Sequence, residues 1–225
     1  MSEPISSLSD TDLRGNLPRP ADQGPRPLCL AFAVTGAHDA SCLGDGESAR
    51  AVEALWNHCV RNGRAEAAGT TLAAVLDAVA MDGQPCAVDW PFNPVLGVGT
   101  ESPPEGCGER PWRTARFREL PLAHDGVERG IEQELAQDRC VVLVLEIGDE
   151  FTLPNADGFV AVPDLSSDMG DYHAVLAVGA VSAASGRHLI VRNSWGSGWG
   201  VEGHCLLPME YLAAFAVQAA GIAPD

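Results

Sequence analysis

The chain contains no lysine: all 14 of its basic residues are arginine, and 31 acidic residues oppose them. The absence of lysine excludes both a Schiff-base lysine and the lysine of a phosphate-binding loop. The protein is acidic, with a formal net charge of −17. Phosphate backbones and anionic lipids repel such a charge, so we expect no nucleic-acid partner and no membrane partner. No apolar run approaches the roughly 18 residues that a bilayer span needs.

Its seven cysteines include no C-x-x-C pair, and residues 1–27 lack the apolar centre of a secretory signal peptide. An odd number of cysteines without a signal peptide favours reduced thiols, so we expect a cytoplasmic location. The spacings of His38, Cys42, His58 and Cys59 match no standard zinc pattern. We interpret these four residues as helix-packing positions and expect neither a metal nor an organic cofactor.

Helical patterns dominate the first half of the sequence. A helix is expected to begin just after Pro27. Apolar residues then recur at helical spacing over 52–59 and over 72–79, where Thr70 is a candidate N-cap. From Pro85 to about Trp112 the composition shifts to Pro, Gly and Trp without periodicity, which predicts a long surface connection.

The second half has one short helical pattern, over 127–138, and several short runs rich in Val, Leu and Ile. These runs predict strands at 140–147, 173–181, 188–193 and 201–207. An apolar fraction of 46% in 225 residues can bury a substantial core. We therefore predict an α+β protein, with a lead-in and helical lobe over about 1–118 and a β lobe over about 119–225. Each lobe is expected to have its own core, with a cleft between them.

Gln23, Cys29, His173 and Asn193 together offer every group that acyl transfer needs. A thiol becomes a strong nucleophile at a helix start beside an imidazolium. Asn193 would orient the far nitrogen of His173. The amide of Gln23 would join the backbone N–H of Cys29 in an oxyanion hole, where one donor is typically worth about a hundredfold to a thousandfold in rate.

The electrostatic energies of the helix terminus and of the imidazolium indicate which of the two activates the thiol of Cys29. A helix terminus contributes about 0.3 to 1 kcal/mol. An imidazolium ~4 Å away contributes about 4 kcal/mol at an effective dielectric of ~20, which is roughly three pKa units. We therefore expect His173 to hold Cys29 ionised.

Three segments resemble the papain-like cysteine peptidases. Asp-Gln-Gly at 22–24 with Cys-Leu-Ala-Phe-Ala at 29–33 is similar to their nucleophile segment, and Tyr-His-Ala-Val at 172–175 is similar to their histidine strand. Asn-Ser-Trp-Gly-Ser-Gly-Trp-Gly at 193–200 resembles their asparagine motif almost letter for letter. His173 follows Cys29 by 144 residues and Asn193 follows it by 164, close to the family's range of about 130 to 150.

The resemblance implies a single catalytic domain over 1–225, with a helical lobe, an antiparallel barrel-like β lobe and an active-site cleft between them. It implies that Cys29 is the nucleophile, His173 the acid and base, Asn193 the orienting residue and Gln23 the oxyanion donor of a peptidase. Trp195 would then shield the His173–Asn193 hydrogen bond, with Trp199 packed nearby, and both are candidate substrate-binding residues. The implied partner is a peptide or protein substrate.

The nucleophile segment departs from the family pattern. Arg-Pro-Leu-Cys-Leu at 26–30 stands where Cys-Gly-Ser-Cys-Trp is usual, which removes half of a structural disulfide and agrees with a reducing compartment. Only about a dozen residues precede the matching region, so the resemblance implies a bacterial-type member without a proregion. A separate inhibitor or regulatory protein would then control the activity.

Three alternatives remain open from the sequence. The same four residues would serve a transpeptidase or other amide-transferring enzyme. The altered segment at 26–30 would also suit a catalytically idle module that only binds peptides. Asp171, two residues before His173 and on the same strand face, competes with Asn193 as the orienting residue, although we interpret it as a solvated carboxylate.

Overall fold

The computed structural model of the chain describes residues 9–42, 48–95, 102–122, 126–164 and 169–223. The helices in these ranges are α1 Cys29–Cys42, α2 Val52–Arg61, α3 Leu72–Met81, α4 Val127–Leu135, α5 Asp149–Thr152 and α6 Met209–Phe215. The strands are β1 Thr11–Asp12, β2 Ala65–Glu66, β3 Gly69–Thr70, β4 Phe117–Glu119, β5 Val141–Ile147, β6 Asp171–Ala183, β7 Gly186–Arg192, β8 His204–Pro208 and β9 Ala216–Ile222. None of the described helices is both long and apolar enough to cross a bilayer.

The first helix, α1, is the central helix of the fold. Most of its residues are buried, because it packs against α2 and α3 on one side and against β6 on the other. Gly36 marks the closest approach to the sheet: a Cβ built there would lie 2.9 Å from Cδ2 of Leu176. The helix carries Cys29 at its first position, so the thiol sits at the edge of the packed interior.

Two N-terminal helices follow the predicted patterns. α2 and α3 cover the predicted segments and bury their apolar stripes. Thr70 is not the N-cap of α3, because it lies in β3. The cap is Thr71, whose hydroxyl accepts a hydrogen bond from the N–H of Ala74 at 3.3 Å.

A seven-stranded antiparallel sheet forms the second half of the fold. Its strand order is β4-β9-β5-β6-β7-β8, and β1 also pairs with β6. The predicted strands at 140–147, 173–181 and 188–193 match β5, β6 and β7. The fourth, predicted at 201–207, begins three residues late, since Glu202 and Gly203 have positive φ angles of 53° and 80° and form a turn.

Gly179 leaves the space that allows β1 to pair with β6. The β6–β7 register shifts between Ala177 and Gly179, and β1 lies directly against this irregularity. A Cβ on Gly179 would lie 2.3 Å from the carbonyl oxygen of Thr11. Only glycine fits this position without moving β1.

The hydrophobic core is continuous. One cluster of buried residues includes Leu55 of α2, Val75 of α3, Val34 of α1 and Leu176 and Leu189 of the sheet. The prediction of a separate core for each half is therefore wrong, because α1 is apolar on both of its packed faces and joins them.

The connection after Pro85 runs along the surface and is anchored by two buried residues. Trp90 and Cys107 are 7% exposed and form a small second cluster with Ala51 and Ala54 of the α2 region. The other described residues of this connection are exposed or half-buried, so its path along the surface is as predicted, and Trp90 and Cys107 anchor it to the helices.

Candidate active site

Cys29 is held at the N-terminus of α1, directly after the buried Leu28. Burial raises the pKa of the Cys29 thiol above its ordinary value. The nearby backbone N–H groups of Ala174, Leu30 and Cys29 itself lower that pKa by smaller amounts. Since Ala174 follows His173 on β6, the sulfur lies against the strand that carries the histidine.

His173 is buried on β6, paired in register with Leu145 of β5. Its Nε2 lies 2.7 Å from Oδ1 of Asn193. The same oxygen accepts the backbone N–H of Ser194 at 2.7 Å, which identifies it as the carbonyl oxygen of the amide. Nε2 therefore carries a hydrogen, and Nδ1 of the neutral ring is left as the basic nitrogen.

Burial also controls the charge of the imidazole. It lowers the pKa of His173 to about 4, against a smaller opposing effect of the Asn193 hydrogen bond. Together with the raised pKa of Cys29, this shift favours a neutral thiol beside a neutral imidazole at rest. The ion pair predicted from the sequence counted the attraction between the two charges, and the burial of both groups opposes that attraction.

Gln23 is buried and fixed at both ends of its amide. Its Nε2 donates to the backbone carbonyl of Arg26 at 2.8 Å, and its Oε1 accepts the hydroxyl of Ser194 at 2.6 Å. Its backbone N–H donates to the carbonyl of Ser194 at 2.8 Å. The second hydrogen on Nε2 remains available to a ligand.

Aromatic rings enclose the histidine. The ring of Trp195 lies over His173, with centroids 4.5 Å apart and planes inclined by 32°. Trp199 packs on Trp195 at 5.5 Å and donates its indole N–H to the carbonyl of Thr152 at 3.0 Å. Trp195 therefore covers one face of the imidazole, and Trp199 packs behind Trp195.

Sequence reasoning missed Phe151, which lies at the centre of this aromatic cluster. It is fully buried, and its ring centroid lies 6.1 Å from His173, 5.9 Å from Trp195 and 5.4 Å from Trp199. Its segment, α5, is only four residues long and shows no helical period. A single apolar side chain after two acidic ones was the only signal.

Other candidate residues lie elsewhere. Asp171 is exposed at the start of β6, and His173 donates its hydrogen bond to Asn193 instead. His38 binds Gln84 through Nδ1 at 2.9 Å, and His58 lies 2.9 Å from Asp82. In the described ranges, no three His, Cys, Asp or Glu residues are grouped to hold a metal. All seven cysteines are free thiols.

Comparison with known proteins gives the family. The model of the papain family cysteine proteases matches residues 10–221. No curated protein matches the sequence. Among solved structures, xylellain, a cysteine protease from Xylella fastidiosa, is similar at 19% identity and a TM-score of 0.80 over 100% of this chain and 91% of that one.

Two digestive proteins of the larval midgut of Tenebrio molitor are also similar. Procathepsin L 3 has 22% identity and a TM-score of 0.75, covering 100% of this chain and 73% of its own. Procathepsin L2 has 19% identity and a TM-score of 0.71, covering 100% and 69%. These likenesses give an α+β papain fold.

Proposed function

Because this chain belongs to the papain family of cysteine proteases, we propose that it hydrolyses peptide bonds through an acyl-enzyme on Cys29. The observation that carries this proposal is the shared oxygen of Asn193. It accepts from both His173 and the Ser194 N–H, so it keeps a hydrogen on Nε2 and leaves Nδ1 as the base. Peptides and proteins are the proposed substrates.

In the proposed reaction, the sulfur of Cys29 attacks the scissile carbonyl carbon while its proton passes to Nδ1 of His173. The Cys29 N–H and the second hydrogen on Nε2 of Gln23 bind the oxyanion. The C–N bond then breaks, and His173 gives its proton to the leaving amine. Water, deprotonated by His173, attacks the thioester, and the C–S bond breaks to regenerate the thiol.

The direct test is hydrolysis of a mixed peptide library by the wild type and by Cys29→Ala. We expect cleavage by the wild type and none by the variant. Cys86→Ala is the matched control, because Cys86 is another half-buried free thiol and lies outside the site. Equal cleavage by Cys29→Ala and the wild type would contradict the proposal.

Acyl transfer to an amine would use the same acyl-enzyme. Product analysis at increasing concentrations of a glycine amide acceptor separates the two reactions. Hydrolysis products alone at high acceptor concentration support the peptidase, and dominant amide products would favour the transferase.

The pKa directions favour one further candidate, a binding module without activity. Burial of both Cys29 and His173 opposes the charged pair that reacts fastest. Intact-mass measurement after exposure to a peptidyl epoxide at neutral pH discriminates between the two. One adduct, absent in Cys29→Ala, supports the peptidase, and no adduct on the wild type supports the idle module.

A further inference from the structure

Arg26 is a buried cation in the loop that precedes the nucleophile. Arg26 is 2% exposed. Both of its terminal nitrogens donate to the carboxylate of Glu53, Nη1 to Oε1 and Nη2 to Oε2, the second at 2.9 Å. Nη1 also donates to the backbone carbonyl of Asn93 at 2.5 Å, and the guanidinium lies 5.2 Å from the ring centroid of Phe92. These contacts tie the loop to two other segments.

Glu53 completes a closed set of hydrogen bonds. It lies in the first turn of α2, and its Oε1 accepts the backbone N–H of Asn93 at 2.9 Å. The ion pair thus binds both backbone polar groups of Asn93, in a segment that belongs to no helix or strand. The next residue, Pro94, packs against the nucleophile loop, since a Cβ built on Gly24 would lie 3.6 Å from its Cβ.

The backbone of Arg26 connects this ion pair to the candidate oxyanion hole. Its carbonyl accepts the side-chain N–H of Gln23 at 2.8 Å and the backbone N–H of Leu28 at 2.9 Å. The side chain of Arg26 fixes the loop, and the carbonyl of the same residue directs the amide of Gln23. A shift of Arg26 would therefore move the amide that is proposed to bind the oxyanion.

Stability alone does not explain this arrangement. Two charges taken out of water lose hydration that their attraction rarely exceeds, and well-packed apolar residues of similar volume often replace a buried ion pair without loss of stability. The ion pair offers what apolar residues lack: a planar fork with a defined direction toward Glu53 and Asn93.

We propose that the Arg26–Glu53 ion pair is a positioning device for the oxyanion hole, holding the Arg26 carbonyl and hence Gln23. The inference rests on the proposed peptidase function. Arg26 is a positioning residue, because it acts through Gln23 and does not itself face the reacting atoms.

The test compares the wild type with Arg26→Met/Glu53→Met, which removes both charges together and leaves none unpaired. Arg64→Met/Asp77→Met is the matched control, because it removes an exposed ion pair from the same half of the chain. We expect the first double variant to keep its melting temperature and to lose roughly tenfold to hundredfold in kcat, with KM within about threefold. The control is expected to match the wild type.

Alkylation of Cys29 by iodoacetamide separates positioning of the oxyanion from a general disturbance, because this displacement develops no oxyanion. Its rate is expected to be unchanged in Arg26→Met/Glu53→Met. Unchanged peptide hydrolysis in this folded variant, or a parallel fall in hydrolysis and alkylation, would overturn the inference.

A double-mutant cycle tests whether Arg26 acts through Gln23. In a Gln23→Ala background the ion-pair replacement should have little further effect on kcat, because the group that it positions is gone. Losses that simply multiply would show that Arg26 acts by another route and would reject the inference.

If the wild type cleaves no peptide, the proposed function is rejected, but the positioning role of Arg26 can still be tested without activity. The side-chain amide of Gln23, assigned by its absence in Gln23→Ala, is then followed by ¹⁵N NMR. We expect Arg26→Met/Glu53→Met to shift this signal and to accelerate its hydrogen exchange. An unchanged signal would reject the positioning role independently of activity.

Discussion

Ser194 connects the two halves of the candidate site. Its hydroxyl donates to Oε1 of Gln23, and its backbone N–H donates to Oδ1 of Asn193. One residue therefore fixes both the amide of Gln23, the proposed oxyanion donor, and the amide that accepts the hydrogen bond of His173. The tautomer of His173 and the direction of Gln23 depend on this shared contact.

At Asn193, truncation tests the assignment of the proton. Asn193→Ala removes the 2.7 Å hydrogen bond to His173, so the ring can rotate or adopt the other tautomer. We expect kcat to fall by roughly tenfold to ten-thousandfold, within the range of general acid–base catalysis and tautomer control. Peptide hydrolysis measures it, with Gln133→Ala, an exposed amide, as the control. Wild-type kcat in a folded Asn193→Ala would contradict the assignment.

Phe151 supports the same imidazole through packing. Phe151→Ala leaves a cavity among His173, Trp195 and Trp199, and we expect a loss of about 3 to 5 kcal/mol in the free energy of unfolding. Urea denaturation measures this loss. Leu153→Ala, two residues away and 78% exposed, should change it by less than about 0.5 kcal/mol. Equal effects of the two variants would show that the aromatic cluster does not support the fold.

Individual elements differ in how well their sequences reveal them. Strands β5, β6 and β7 have dense Val, Leu and Ile, and helices α2 and α3 have clear apolar periods, so both kinds were predictable. Ala216–Ile222 is rich in alanine and glycine, and its strand, β9, forms because it pairs with β4 on one side and with β5 on the other. Such tertiary pairing has no local signature.

The candidate site likewise has some residues that the sequence predicts and others that only the structure shows. Gln23, Cys29, His173 and Asn193 could be predicted as site residues, because acyl transfer requires these groups and their order is distinctive. The Arg26–Glu53 pair was not found, since a salt bridge between residues 27 positions apart leaves no periodic trace. The effect of burial on the pKa values of Cys29 and His173 also required a structure, because the sequence does not show how deeply each group is buried.

β1 provides a test at the scale of one element. Gly179→Ala would place a Cβ 2.3 Å from the Thr11 carbonyl oxygen, so β1 must shift or detach, at a cost of about 1 to 3 kcal/mol. Gly130→Ala is the control, since nothing lies within 4 Å of its Cβ in helix α4, and it should stabilise by about 0.5 to 1 kcal/mol. A change in melting temperature in the same direction for both variants would show that β1 does not crowd position 179.

The whole molecule should lose stability in acid. Burial lowers the pKa of His38, His173 and His204 to about 4 each, below the unfolded value of 6.5. As pH falls from 6.5 to 4 the unfolded chain binds protons that the folded chain refuses, so the free energy of unfolding decreases. Asp39, with a pKa raised to about 6, has the opposite effect, but it is one group against three.

Denaturant titrations at pH 7, 5.5 and 4.5 measure this dependence. We expect a net loss on the order of a few kcal/mol between the first and the last. His204→Gln should flatten the curve, since that position no longer titrates. Stability that is constant or increases toward pH 4.5 would contradict the assigned burial of these histidines.

Cys29, the proposed nucleophile, cannot unfold separately from the rest of the protein, because it lies on the central helix. α1 begins at Cys29, and its sides belong to the one interior shared by α2, α3 and the sheet. The two halves cannot melt in turn, because separating them opens that interior at once. Calorimetry should therefore record a single heat-absorption peak. Peptidase activity measured during heating should fall over the same temperature range, since it reports the fraction of molecules that remain folded.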